Sequence, residues 1–320
     1  MSAIRYHKQV NVLQGRDGDA GSPFARAEWF ALLAGPGGIA PLVVENDRVA
    51  LPLTAVGRHA RALANWYSFT WQPLGNLKEL ANLAAAMRNR FGRVELSPLP
   101  DEAGQASTVA TAFRNGGWIV RFEQCDVNYV LPVSDRDFAA YLAQRPGKLR
   151  TTIKRKRGKV ECRIMTEFQA DAWAHYERIY AASWKPEEGR PEMLRAFAEQ
   201  EGTAGRLRLG LAYRDGEPVA AQFWTVESGT AFIHKLAQTP EANAVSAGTV
   251  LTAALFEHVI DTDKVDLVDF GTGGDPYKAD WMEQVRPRYR MTAYNPRRPT
   301  NWPAIARVWV QNLASRVRNG

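Results

Sequence analysis

The chain has 320 residues, 45% hydrophobic and 23% charged, which is the composition of a folded globular protein with room for two domains. It has no apolar run of about 18 residues, no apolar core in the opening MSAIRYHKQV, and only Cys125 and Cys162, too few for a disulfide framework and without zinc spacing. These features argue against a membrane-spanning segment, a secretory leader and a metal-stapled fold, and a reducing cytoplasm is the expected compartment. The net charge of +7 is uneven. Residues 144–160 and 286–320 each hold eight cations and no acid, so the rest of the chain nets −9. An acidic body with two basic poles predicts phosphates, an anionic membrane or nucleic acid as partner.

In chain order, residues 24–33 predict a short helix, ended by glycines at 35–38. Strands follow at 39–44 and 49–56, and a third, dense in aromatics, at 63–71. A helix at 77–91, a strand at 93–96 and a helix at 101–115 come next, then strands at 118–123 and 128–133. Ser134 is placed to cap a helix over 135–143, because its hydroxyl can accept a free N–H. Pro146-Gly147 separates that helix from a basic one reaching about Arg157. A strand at 160–166 and helices at 171–184 and 191–199 lead to a hairpin, 207–213 with 218–226, across Asp215-Gly216. A strand at 230–237, a helix from Ser246 to about Asp261, a strand at 265–270, a helix at 277–285, a strand at 289–295 and a helix at 303–318 complete the chain. Two similar α/β orders in the two halves suggest a duplicated unit, with no repeat at residue level.

The stretch Asp269-Phe-Gly-Thr-Gly-Gly-Asp-Pro-Tyr-Lys-Ala-Asp-Trp281 stands out. A strand that ends in glycines and then displays Asp, Tyr and Lys is a common way to build a ligand crevice. Upstream, Ser246, Ala247, Gly248 and Thr249 open a helix, where free N–H groups attract anions; an ordinary capped helix is the plainer reading. Gln222 alternates with Ala220 and Trp224 on one strand face and is placed to line a pocket, although Trp224 reads as core packing. The basic run 148–159 reads either as a solvated face or as an anion cradle, and it lacks the interleaved aromatics and motifs of nucleic-acid binding. In the last helix Ile305, Val308, Trp309 and Leu313 read as one apolar face with Arg307, Arg316 and Arg318 elsewhere. That pattern suits packing on the domain or peripheral membrane contact. No G-x-S-x-G elbow, P-loop, H-E-x-x-H or Cys-x-x-Cys is present.

These elements and motifs resemble the GNAT acyltransferase superfamily, and within it the FemAB-related, CelD-like branch. The residues that carry the likeness are Arg145-Pro-Gly-Lys-Leu-Arg150, Trp184-Lys185, Gly216-Glu-Pro-Val-Ala-Ala221, Ser246-Ala-Gly248 and Asp269-Phe-Gly with Asp275-Pro-Tyr-Lys278 and Trp281. The resemblance implies a tandem GNAT-like α/β (α+β) fold of two mixed-sheet domains with flanking helices. The expected boundaries are 1–133 for a degenerate first domain and 134–320 for the acyltransferase domain. It implies an N-acyltransferase moving an acyl group from acyl-CoA, acetyl or longer, to an amine acceptor, lipid-linked or not, in cell-envelope polysaccharide or lipid biosynthesis. No metal is expected, and the place of action would be the cytoplasm, peripheral at the inner face of the membrane. The strand at 230–237 would hold the thioester, and Lys235 with Asn243, Ser246, Ala247, Gly248 and Thr249 the CoA. In the superfamily the loop reads Arg/Gln-x-x-Gly-x-Gly/Ala; here Asn243 and Ser246 stand at the first two defined positions. His234, Asp269 and Asp275 are base candidates, Tyr277 an acid candidate, and Lys235 and Lys278 would bind an anionic group or hold Asp269 or Asp275 ionised; Trp184, Lys185, Gln222 and Asp275 would meet the acceptor. Two alternatives stay open: a long-chain acyl-CoA N-acyltransferase acting on a lipid amine of sphingoid-base type, and a non-catalytic accessory protein of envelope assembly.

Overall fold

The structure, a computed structural model, describes residues 3–16 and 21–318, and side chains of the last helix as far as Gln311. Leu313, Arg316 and Arg318, read above as parts of that helix, lie outside the described side chains. The chain forms two compact units, residues 1–127 with 287–320, and residues 128–286. This differs from a boundary at 133/134 because the strand Gln284–Tyr294 pairs with Arg93–Leu99, from Tyr289↔Leu99 to Tyr294↔Arg93. That pairing returns the C-terminal segment to the first unit. Among the described residues, no helix is long and apolar enough to cross a membrane.

Each unit builds the same mixed α/β order. In the first, strands Leu42–Glu45, Val49–Val56 and His59–Ala62 are followed by the helix Leu80–Met87 and the strand Arg93–Leu99. In the second, strands Leu207–Arg214, Glu217–Glu227 and Thr230–Gln238 are followed by the helix Ala247–Glu257 and the strand Leu267–Thr272. The first three strands pair antiparallel in both units, and the third pairs parallel with the last. A helix crossover joins that parallel pair, as a parallel connection requires. The hairpin turn at Asp215-Gly216 has both residues left-handed, φ 54° and 83°, which suits the strand twist.

In the first unit the chain leaves the sheet after Ala62. Residues 63–71, expected as a strand, form turns instead. Asn65 Oδ1 accepts the Tyr67 N–H at 3.1 Å, and Ser68 Oγ accepts N–H groups from Asn65 and the Trp29 indole, each at 3.3 Å. Short polar side chains thus compete with ladder bonds for the backbone. Trp71 then lies 1% exposed, giving its backbone N–H to Pro98 O at 2.7 Å and its Nε1 to Pro52 O at 2.9 Å. It bridges the strands on either side of His59–Ala62 and fills the space beyond that strand's end.

In the second unit, alternation along Glu217–Glu227 sends neighbouring side chains to opposite helical layers. Trp224 meets Phe256 of the helix Ala247–Glu257 edge-on at 5.4 Å. Phe223 meets Trp173 and Phe197 of the helices Ala170–Ala182 and Pro191–Thr203 at 5.4 and 5.6 Å. Tyr141, Phe256 and Trp281 stack in series at 5.2 and 5.0 Å, so Trp281 belongs to the core. Two local expectations are revised. The helix Phe138–Ala143 is capped by Asp137, which accepts the Ala140 N–H at 2.7 Å, while Ser134 sits at φ 56°. The stretch after Asp275 makes only a single turn, Pro276–Asp280, because the chain must enter the strand Gln284–Tyr294.

Candidate active site

Thr230–Gln238 and Leu267–Thr272 pair at Thr230↔Leu267, Ala231↔Val268 and Phe232↔Asp269, and then part. At the point of parting His234 is inserted as an extra residue. Ile233 lies opposite Trp224 and Lys235 opposite Phe223, leaving His234 between two consecutive pairs. A one-residue bulge of this kind breaks the alternation of side chains and re-aims them. His234 and Lys235, though adjacent, both meet residues on the side of the helices Ala170–Ala182 and Pro191–Thr203. The His234 ring lies 5.1 Å from Phe197 and 5.0 Å from Phe223, with Nε2 2.8 Å from Thr225 Oγ1. Lys235 donates to Glu188 Oε1 at 3.1 Å and sits 5.3 Å over the Tyr180 ring. Burial lowers its pKa to about 8 against the pull of Glu188.

Beside this bulge is a cavity of about 380 Å³, walled by Trp173, Tyr176, Tyr180, Lys185, Glu188 and Leu194. Its lining combines an aromatic wall with the charged Glu177, Lys185, Glu187 and Glu188, apolar surface and convergent polar groups of the kind a small-molecule site uses. Burial depresses the Lys185 ammonium pKa, opposed by Asp275 and Glu188, and raises the Tyr180 phenol to about 12 with help from Glu188. Trp184 is 64% exposed, with the Lys185 ammonium 5.5 Å over its ring.

The glycine loop follows the strand Leu267–Thr272. Asp269 is buried; Oδ1 accepts the Gly271 N–H at 2.7 Å and Oδ2 accepts Asn128 Nδ2 at 2.9 Å. Gly271 and Gly273 have φ of 70° and 98°, conformations costly for any other residue. Lys278 is buried beneath the loop and donates to the carbonyls of Thr272 at 2.5 Å and Gly273 at 3.3 Å, with Asp275 Oδ2 at 3.8 Å. Tyr277 packs edge-on to Phe270 at 5.6 Å while 40% of it stays exposed; partial burial, then Asp275, raises its pKa to about 12, so at neutral pH it holds its proton. Arg145 is buried and fastened to Glu283, with its guanidinium 4.8 Å over the Tyr141 ring; it secures the strand entry after the loop.

The anion-loop candidates sit where Pro240–Val245 makes a short helical turn into Ala247–Glu257, with Ser246 left-handed at φ 55°. Gln238 spans this corner: its Oε1 accepts the Gly248 N–H at 2.7 Å and its Nε2 reaches Asn243 Oδ1. Ala247 is fully buried. Lys156, ending the basic helix Gly147–Lys156, donates to Ala244 O at 2.9 Å. The basic pole of this unit therefore stands at the loop.

The fold thus sets Lys185 in the cavity wall, with Lys235 bonded to the lining Glu188 and Asp275 acting on the Lys185 charge, and it places Asp269 in the strand Leu267–Thr272 and Tyr277 and Lys278 in the turn that follows the glycines. Gln222 is not part of the lining. It is 1% exposed, and its amide is engaged by Gly248 O, Thr252 Oγ1 and the Trp224 indole, so it ties strand to helix. Glu188, Tyr180, Gln238 and Asn128 escape a reading by motif. Only Glu188 had a local signal, being within the charged run that follows Trp184-Lys185. Among the described residues no group of three or more His, Cys, Asp or Glu is arranged to hold a metal.

Residues 147–279 match the family model described as an acetyltransferase (GNAT) domain. No curated protein matches the chain. Among solved structures it is similar to FemX, at 8% identity and TM-score 0.63 over 95% of this chain and 100% of that one. It is also similar to the C-terminal domain of a candidate lysylphosphatidylglycerol synthetase from Agrobacterium fabrum, at 14% identity and TM-score 0.61 over 88% and 91%. A tandem GNAT protein from the clavulanic acid biosynthesis pathway aligns at 14% identity and TM-score 0.50 over 91% and 98%. The chain has a tandem GNAT-like fold whose second unit carries a GNAT-type acetyltransferase domain, and the activity that goes with that domain is acyl transfer.

Proposed function

We propose that the chain is an N-acyltransferase of the FemAB-related, CelD-like kind. It moves an acyl group from acyl-CoA to an amine acceptor in envelope polysaccharide or lipid biosynthesis, in the cytoplasm. The observation that carries this reading is the parted strand pair, bulged at His234, beside a cavity lined by Glu188, the partner of Lys235. Beyond Phe232 the strand Thr230–Gln238 runs on without Leu267–Thr272 alongside. Its backbone N–H groups suit a thioester carbonyl and the oxyanion that develops on it. The aromatic walls suit the body of the acceptor, and Glu188 suits its ammonium. Glu188 takes one proton from the ammonium, and the neutral nitrogen attacks the carbonyl to form the C–N bond. As the C–S bond breaks, Tyr277, protonated at neutral pH, gives its proton to the thiolate and is reprotonated through water by the proton the new amide nitrogen loses. Lys156, Asn243, Ser246 and Thr249 would face the CoA phosphates. Relatives in fold add support: one is described as a lysylphosphatidylglycerol synthetase domain, which motivates a lipid-linked acceptor.

The test is a thermal-shift series with CoA and acyl-CoAs of increasing length, followed by mass spectrometry of acyl transfer to amino sugars and lipid amines. Stabilisation by an acyl-CoA and an N-acylated product are expected. If no thioester stabilises the chain, the CoA-donor reading is lost; binding without transfer would favour an accessory role.

A further inference from the structure

Among its described side chains, as far as Gln311, the helix Trp302–Arg318 presents two sets of apolar residues, one buried and one exposed. Ile305 and Val308 are buried. Trp302, Trp309 and Val310 are 59%, 58% and 66% exposed, with exposed Ala306 between them. Positions 302, 306, 309 and 310 follow the spacing of a single helical stripe. Trp309, expected on the packed face, therefore turns outward with Trp302. Single exposed apolar residues are ordinary, but an aligned stripe with two tryptophans marks an interaction surface.

Charge decides what covers it. Residues 286–320 contain eight arginines and no acid. Arg288 is buried against Glu102, while Arg297 and Arg307 are exposed. A second copy meeting this face by two-fold symmetry would bring arginines onto arginines with no acid in the segment to neutralise them. An anionic surface with an apolar interior satisfies both features. The Trp302 indole N–H already donates to Pro296 O at 3.0 Å, so its ring can enter an apolar layer without losing a hydrogen bond. We propose that this helix face docks the protein on an anionic lipid surface, the tryptophans seated at the headgroup–acyl boundary and the arginines at the lipid phosphates. The inference deepens the proposal of a lipid-linked acceptor but rests on the first unit alone.

The test is co-sedimentation of the full chain with vesicles of phosphatidylcholine, alone or mixed with phosphatidylglycerol. Binding to the mixed vesicles should exceed that to phosphatidylcholine by about tenfold and fall with added salt. The Trp302→Ser/Trp309→Ser double variant should lose about tenfold in partition with an unchanged thermal midpoint. Arg297→Gln/Arg307→Gln should lose the preference for phosphatidylglycerol. Equal binding to both vesicle types, or indifference to the tryptophan pair, overturns the proposal. So does light scattering that shows the wild type, but not the tryptophan variant, dimerising without vesicles. No thioester or acceptor enters this measurement, so its failure leaves the acyl-transfer reading standing, and the reverse holds.

Discussion

The parallel pairs in the two units separate after the same number of residues but are finished differently. In the first, His59–Ala62 runs only one residue past its pairing with Arg93–Leu99, and Trp71 lies buried with a bond to a carbonyl of the strand on either side. In the second, Thr230–Gln238 continues for six residues past Phe232, with a bulge at the parting and a cavity next to it. Topology alone therefore does not make a site. What matters is whether the strand runs on past its partner and whether a side chain takes the vacated volume.

Four experiments test this contrast. The largest effect is expected for Trp71→Ala, which removes a fully buried indole and its bond to Pro52 O while keeping the backbone bond to Pro98 O. It should destabilise the chain by about 3–5 kcal/mol in urea unfolding. A loss below about 1 kcal/mol would mean the indole is not a structural plug. Next is Asp269→Asn, which should lower kcat by about a hundredfold because the charge-assisted bond to the Gly271 N–H shapes the loop. Tyr277→Phe should give a similar fall in kcat while urea stability stays within about 0.5 kcal/mol. Unchanged turnover in both would make the glycine loop purely structural.

The third test uses pH. The Lys235 pKa is lowered to about 8 in the folded chain. Between that value and the ordinary lysine range the unfolded chain binds the proton and the folded chain does not, so stability rises with pH across this window. Below about pH 8 the lysine is charged in both states and the full burial penalty is present. Wild type should therefore gain on Lys235→Met between pH 7 and pH 9.5 in paired urea unfolding curves. A constant difference would mean that Lys235 is solvated like any surface lysine. The smallest effect is expected for Lys156→Ala, which should raise KM for acyl-CoA by a few fold and leave kcat alone, as loss of one partly screened cation should.

Much of the second unit was legible in the chain. Asp215-Gly216 announced the hairpin, and the apolar run into Gly271 announced the strand and its loop. Local chemistry fixes such features. The aromatic stretch 63–71 misled, because strand-forming side chains were outvoted by Asn65 and Ser68 capturing nearby N–H groups. The bulge at His234 had no signal, since a period of two gives no warning of an inserted residue. It explains why the lysine after the histidine, rather than the histidine itself, lines up with Glu188. Gln222 and Gln238 show the other limit. Both are amides on neighbouring strands, yet one is consumed inside the sheet–helix layer and the other bridges a loop, a difference set by partners far along the chain.

Gln238 also gives the helix start Ala247–Glu257 a property of its own. The Gly248 N–H is already held by the Gln238 amide oxygen, and the same amide grips Asn243. A phosphate arriving there takes part in an exchange: it gains a backbone donor only as the glutamine gives one up and finds new company in water. The net gain is a difference between two hydrogen bonds, small for a weak acceptor and larger for a charged one. The corner therefore ranks incoming groups by their charge, and neutral oxygens are turned away by a side chain that is already as good a ligand as they are.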